Sequence, residues 1–422
     1  MGYEQLPVPD EMPLPGEAVP GGVLAARGFT AAGVHAGFRR NPERRDLALV
    51  VADGGPVAAA GVFTQNVFCA APVTVDREHL GATGGRARAV ILNSAVANAA
   101  TGEPGIANAR TTAERLADRL GCAAEEVLVA STGVIGVQLP MDVMKPGIDA
   151  VFADLAADAE HAQAASQAIM TTDTKPKTAA VRYVDASGAT YAVGGMCKGS
   201  GMISPNMATM LAVLITDAPV EPAALQQALR AAASASFNRV TVDGDTSTND
   251  SCFLLASGAA GGPQVEAGTA RFDAFLAALS YVCDDLARQI AADGEGATRL
   301  VRVVVTGAAS AADAELAART VATSPLVKTA IAGHDCNWGR VAAALGRSGA
   351  RFEQSDVSID ILGLPVLRAG LPVPFDEDEA LRRFEQPRVD VVCDLGAGEA
   401  SYAMWTCDLT HGYVSINADY RS

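Results

Sequence analysis

Three polar loops set beside apolar runs carry the residue types that acyl chemistry needs. In Ala130-Ser131-Thr132-Gly133-Val134-Ile135-Gly136, a Thr-Gly pair follows an apolar strand pattern. A hydroxyl and a backbone N–H presented together are donors for a developing oxyanion; such a pair also makes an ordinary tight turn. The second loop runs from Lys198 to Leu211 as KGSGMISPNMATML. Its lysine precedes the glycines and no Gly-Lys-Ser/Thr follows, so it is not a phosphate-binding Walker A loop. Thr209 stands after the small residue Ala208, at the mouth of an apolar strand. A threonine hydroxyl is a weak nucleophile without an adjacent base. Cutting the Ala208–Thr209 bond would free an α-amine of pKa about 8 within reach of that hydroxyl, and the amine can serve as the base. The plain alternative is a β-branched strand residue. The third loop, Val242–Asp250, resembles a calcium loop, but its sixth position is Thr248 and its twelfth Leu254, where Gly and Glu are required. A polar, self-hydrogen-bonded loop lining a site fits better. Asp293-Gly294-Glu295-Gly296 holds a carboxylate between glycines after a long helix, where a helix cap is the plain alternative.

Stepwise along the chain, apolar runs predict buried strands at Asp46–Asp53 and Ala87–Leu92, and Glu126–Ala130 leads into Thr132. Spacing predicts helices over Asn108–Leu120, ended by Gly121, and over Met141–Met170, Glu221–Ser236, Ala267–Ala292 and Ala311–Thr323. Ala179–Val184 and Ala189–Val193 alternate across Ser187-Gly188, a hairpin pattern that runs on into a Gly-rich loop. Further strands are predicted at Ala208–Thr216, Arg239–Asp243, Ser251–Ala256, Arg299–Thr306, Lys328–Ile331, Val357–Leu362, Val389–Asp394, Ala400–Asp408 and Tyr413–Asn417. Strands and helices interleave, with hairpins as well as crossovers, which means a mixed α/β or α+β protein of layered sheets and helices. The predicted organisation is a Pro-rich leader over 1–20, a core over 21–300 and a C-terminal α+β domain over 301–422.

Composition narrows the function classes. The chain has 422 residues, 49% of them hydrophobic, enough for a large core. With 48 acidic and 32 basic residues the net charge is −16, which disfavours a nucleic-acid partner. No apolar run is long enough to span a bilayer, and the N-terminus lacks the basic start and apolar core of a signal peptide. The eight cysteines are scattered, with no Cys-x-x-Cys pair, and the five histidines do not cluster with them. That speaks against a metal site and for reduced thiols in a cytoplasmic protein.

Taken as a set, these loops resemble the ArgJ family, the ornithine acetyltransferases or bifunctional glutamate N-acetyltransferases of arginine biosynthesis. The blocks are Ser131–Gly136, Met170–Thr174, Lys198–Leu211, Phe237–Asp250 (FNRVTVDGDTSTND), Ser324–Thr329 (SPLVKT), Asn337–Arg340 (NWGR) and the ending Asn417–Ser422. The resemblance runs from about residue 20 to the last residue. It implies an ArgJ/DmpA-like layered sandwich, akin to but distinct from the N-terminal-nucleophile hydrolases, and a self-cleaving precursor. The cut falls at Ala208–Thr209 and leaves an α chain of 1–208 and a β chain of 209–422, which assemble as α2β2. It also implies a ping-pong transfer from N2-acetyl-L-ornithine to L-glutamate through acetyl-Thr209, releasing ornithine and N-acetylglutamate. Thr132 and Gly133 match the oxyanion pair; Thr172, Lys198, Thr209, Glu295, Asn417 and Ser422 match substrate-binding positions. Lys198 suits a substrate carboxylate, and Glu295 suits an ammonium or a proton transfer. No metal or cofactor is implied, and acetyl-CoA stays open as a second acetyl donor. A Thr-nucleophile amidase or aminopeptidase, a secondary-metabolism paralogue and an uncleaved binding protein are the alternatives.

Overall fold

The computed structural model describes residues 12–204 and 210–419. The chain divides into two compact units, one built from 12–238 and 246–286, the other from 239–245 and 287–419. Ala208, Thr209, Ser422 and the first residues of the leader lie outside the described residues.

The first unit is a four-layer sandwich. Its larger sheet has seven strands in the order Gly16–Ala18, Lys177–Val184, Thr190–Lys198, Leu211–Thr216, Ser251–Ala256, Val57–Phe63 and Arg86–Ala87. Leu211–Thr216 and Ser251–Ala256 run parallel, and the other pairings are antiparallel. The smaller sheet orders Phe29–Val34, Leu47–Ala52, Ala89–Asn93 and Val127–Ser131, with the last pair parallel. The sheets face each other through one apolar layer, Val50, Val90 and Leu128 from the smaller and Met196, Val213 and Phe253 from the larger. Opposite side chains of the same strands, such as Leu49, Ile91 and Val129, pack against the helices Gly102–Leu120 and Met141–Ala153. On the far side of the larger sheet, helix Pro222–Ala235 covers Val57–Phe63 and Ser251–Ala256, and the Cys197 thiol reaches the Leu286 carbonyl of helix Ala270–Ala292 at 3.9 Å. Buried on both faces, the central strands read as continuous apolar runs rather than alternating ones. Each fully buried Val, Leu or Phe contributes about 1.5–3 kcal/mol.

The second unit holds a six-stranded sheet in the order Leu371–Pro372, Leu364–Arg368, Ser358–Ile361, Arg388–Asp394, Leu300–Ala308 and Ala400–Cys407. Its core includes Val303, Val391 and Met404 with Ala317 and Val321 of helix Ala311–Ala322. All eight cysteines are free and six are buried. Among the described residues no helix is long and apolar enough to cross a membrane.

Several predicted elements differ from those observed. Lys328–Ile331 is not a strand but part of the helix Pro325–Ala332, started by Ser324, whose side chain accepts from the Val327 N–H. Tyr413–Asn417 lies in a helix, His411–Asp419, that buries none of its residues. Arg239–Asp243 forms only a single bridge, Val240 to Trp405. The predicted long helix from Met141 breaks at Ala153 and resumes at Ala159, because the chain between leaves to pair Ala156 with Ala31. Asp158 then caps the second helix by accepting from the His161 N–H at 3.0 Å.

Candidate active site

Thr132 and Gly133 follow directly on the buried strand Val127–Ser131, whose last residue pairs with Asn93. The Thr132 N–H donates to the Asn93 carbonyl at 3.0 Å, and the Val134 N–H to the Ala95 carbonyl at 3.1 Å. Between them, Gly133 takes φ +134, and a Cβ there would collide with the Ala95 backbone. Only glycine fits this position. Among the described residues the Thr132 hydroxyl and the Gly133 N–H have no hydrogen-bond partner. A hydroxyl and an amide left over side by side can stabilise a tetrahedral oxyanion.

Thr132 lines a small cleft with Lys198, Met202, Met210, Asn249 and Asp250. Lys198 closes the strand Thr190–Lys198 and stands opposite Leu211 across the ladder. Its ammonium faces two buried carboxylates. Burial works to raise the Asp173 pKa, yet the charges of Lys198 and Lys177 hold that carboxyl far below the usual range. Asp173 also accepts from Lys177 Nζ at 2.6 Å and from the Gly199 N–H at 2.7 Å, which ties the start of the Lys198 loop to the Met170–Thr174 turn. At Asp250 burial prevails over the nearby Lys198 and pushes the carboxyl well above its ordinary value. Lys198 therefore sits beside one carboxyl whose pKa is held down and one whose pKa burial raises.

In the second unit, buried Glu295 accepts from Asn417 Nδ2 at 2.6 Å. Gly296, at φ +69, lets the His411–Asp419 helix come close: a Cβ there would meet the Gly412 carbonyl carbon at 2.6 Å. Thr410 Oγ1 donates to the Gly296 carbonyl at 2.6 Å. Tyr413 donates to Asp243 at 3.4 Å, and burial together with Asp243, Glu295 and Asp245 raises its phenol pKa. Negative charge gathered here suits an ammonium group.

The sequence-predicted residues thus fall into separate groups. Thr132 and Lys198 share the cleft, with Gly133 adjoining Thr132; Glu295 and Asn417 are hydrogen-bonded to each other. Thr172 is half-buried in the turn carrying Asp173. Thr209, Ala208 and Ser422 lie outside the described residues, although Met210, next after Thr209, is in the cleft wall. Asp173, Asn249 and Asp250 stand in the motif blocks, but sequence reasoning gave them no role. Among the described residues no group of three metal-ligating side chains occurs.

The family model described as the ArgJ family matches residues 30–422. The arginine biosynthesis bifunctional protein ArgJ of Symbiobacterium thermophilum is 50% identical over 407 residues, 96% of this chain and 100% of that one. Its counterpart in Chlorobaculum tepidum is 49% identical over 400 residues, covering 95% and 97%. A crystal structure of ornithine acetyltransferase with ornithine from Mycobacterium tuberculosis is 44% identical, covers 46% of this chain and 99% of that chain, and has a TM-score of 0.43. Full-length identity of this order over nearly the whole chain means that it belongs to the ArgJ family.

Proposed function

We propose that this chain is an acetyltransferase of arginine biosynthesis that moves the acetyl group of N2-acetyl-L-ornithine to L-glutamate. The observation that carries the reading is the pair of donors without a partner among the described residues, the Thr132 hydroxyl and the Gly133 N–H, beside a cleft that Lys198 and Met210 line.

The chain first cuts itself. Thr209 Oγ attacks the Ala208 carbonyl, the peptide bond becomes an ester and water hydrolyses it. The Thr209 amine and hydroxyl are then both free. In the first half-reaction the hydroxyl attacks the acetyl carbonyl while the amine takes its proton. Thr132 and Gly133 stabilise the tetrahedral oxyanion. Its collapse passes the proton to the departing ornithine amine and leaves acetyl-Thr209. Glutamate then attacks through its neutral amine, N-acetylglutamate departs and the hydroxyl is restored. These steps balance without a metal or redox cofactor. Lys198 holds a substrate carboxylate, Glu295 with Asn417 takes an ammonium, and Thr172 and Ser422 are further substrate contacts. Acetyl-CoA is a second donor for the same acyl-enzyme, in keeping with the word bifunctional in the relatives' names. The two chains stay together as α2β2, and free buried thiols fit a cytoplasmic location.

The test is an assay of purified protein with N-acetylornithine and glutamate, then with acetyl-CoA and glutamate. Glutamate-dependent formation of N-acetylglutamate and ornithine is expected. Release of acetate at a rate indifferent to glutamate would make the protein an amidase instead.

A further inference from the structure

The donor turn Ser131–Gly136 leans on a second loop, 93–101, in which Ala95, Asn98 and Ala100 all have positive φ, at 80°, 49° and 55°. Non-glycine residues occupy that region at a cost and only where their surroundings compel it. Part of the restraint lies within the two loops. Ser131 Oγ donates to Asn93 Oδ1 at 2.7 Å, and Asn93 Nδ2 donates to the Val96 carbonyl at 2.9 Å. The Ala97 N–H donates to the Val134 carbonyl at 3.0 Å.

One side chain from elsewhere grips both loops. Asn249 Nδ2 donates to the Ala97 carbonyl at 2.6 Å and to the Ser131 carbonyl at 2.7 Å. Its Oδ1 accepts from the Thr248 hydroxyl at 2.6 Å, which fixes which way the amide faces. Turned over, it would set its oxygen against two carbonyl oxygens. Asn249 is buried and lies two residues before the strand Ser251–Ala256. At the start of that strand the Ser251 N–H donates to the Met210 carbonyl at 2.9 Å. A single short segment therefore holds the donor turn with one hand and the residue after Thr209 with the other.

We infer that Asn249 is a positioning residue for the acyl-transfer step: it sets the Thr132–Gly133 donors at a fixed distance from the strand that follows Thr209. The inference rests on the reading of Thr132 and Gly133 as the oxyanion pair. Small displacements of such donors are felt in the transition state, where the oxyanion forms, and much less in substrate binding.

The experiment is a double-mutant cycle between Asn249→Ala and Thr132→Ala on full-length, self-cleaved protein, with kcat and KM for N-acetylornithine measured per mature enzyme. Asn249→Ala should lower kcat by roughly 10- to 100-fold with KM within about threefold, and in the Thr132→Ala background its further effect should shrink to under about threefold, because neighbours that act as a unit are not additive. The same loss in both backgrounds, or a raised KM with kcat intact, overturns the inference. A Thr132→Ala enzyme with wild-type kcat instead removes the oxyanion reading on which it rests. Should Asn249→Ala not fold, Thr248→Val keeps the amide but frees its orientation. It should cost kcat about 3- to 10-fold, again masked by Thr132→Ala, and an additive loss overturns the inference.

Discussion

Thr132 has its backbone N–H committed to the Asn93 carbonyl, so the hydroxyl is the part of the residue left for chemistry. Thr132→Ala should therefore lower kcat by about 10²–10³ and change KM little, since losing one preorganised donor is felt mainly in the transition state. Steady-state kinetics with N-acetylornithine and glutamate check it; a KM effect alone would make Thr132 a substrate contact. Asp173 acts on stability instead. It and Lys177 have fully buried side chains, and Asp173→Asn would leave a buried ammonium short of its countercharge at a cost of about 3–5 kcal/mol. The carboxyl's folded pKa lies below its unfolded value of about 4. Its contribution is therefore complete above that pH and fades as pH falls towards the depressed folded value. Urea midpoints at pH 7 and pH 3 should converge between wild type and Asp173→Asn; an equal gap at both pH values would contradict the assignment.

The C-terminal helix His411–Asp419 keeps its place while burying nothing of its own. Its hold comes from the close approach at Gly296, from Thr410 and from the Asn417–Glu295 bond. Gly296→Ala puts a methyl into the Gly412–Tyr413 backbone at a positive φ, itself worth about 1–2 kcal/mol of strain. Loss of one charge-assisted contact, about 1.5–3 kcal/mol, should then raise KM for N-acetylornithine by about ten- to a hundredfold, with self-cleavage intact on a gel. Wild-type KM would show that the helix is not needed for binding. This helix was also among the elements the sequence misrepresented. YVSIN alternates over five residues, and so short a pattern in an exposed helix is indistinguishable from a strand. At Lys328 a usable signal existed, the Ser324-Pro325 pair, which is a helix start. The strands Leu47–Ala52 and Ser251–Ala256 were legible because unbroken apolar runs are what burial on both faces demands. Thr132, Gly133 and Lys198 were singled out from their motifs, whereas Asn249, inside the Phe237–Asp250 block, was given no role. Its partners lie 152 and 118 residues away, and nothing in an Asn-Asp pair announces which carbonyls it will meet.

On the scale of the whole molecule, the proposed cut at 208/209 falls between two hydrogen-bonded neighbours, Thr190–Lys198 and Leu211–Thr216, with Lys198 opposite Leu211. A denaturing gel of the purified protein should show two bands, and Thr209→Ala, with no hydroxyl to drive the shift, one. The sheet order gives the cut a further consequence. The second piece would contribute the two middle strands, Leu211–Thr216 and Ser251–Ala256, flanked on both sides by strands of the first. In the uncut chain those pairings close a loop, a cost that grows only slowly with loop length and is indifferent to dilution. After the cut, the same pairings require two separate polypeptides to find each other, so assembly from the denatured state becomes second order. Refolding of Thr209→Ala from urea should proceed at a rate independent of protein concentration, while the mature protein's yield should fall with every dilution. Equal yields at all dilutions would mean that the pieces fold without each other. Maturation would thus exchange a structure the chain can rebuild for one that lasts by the slowness of its unfolding.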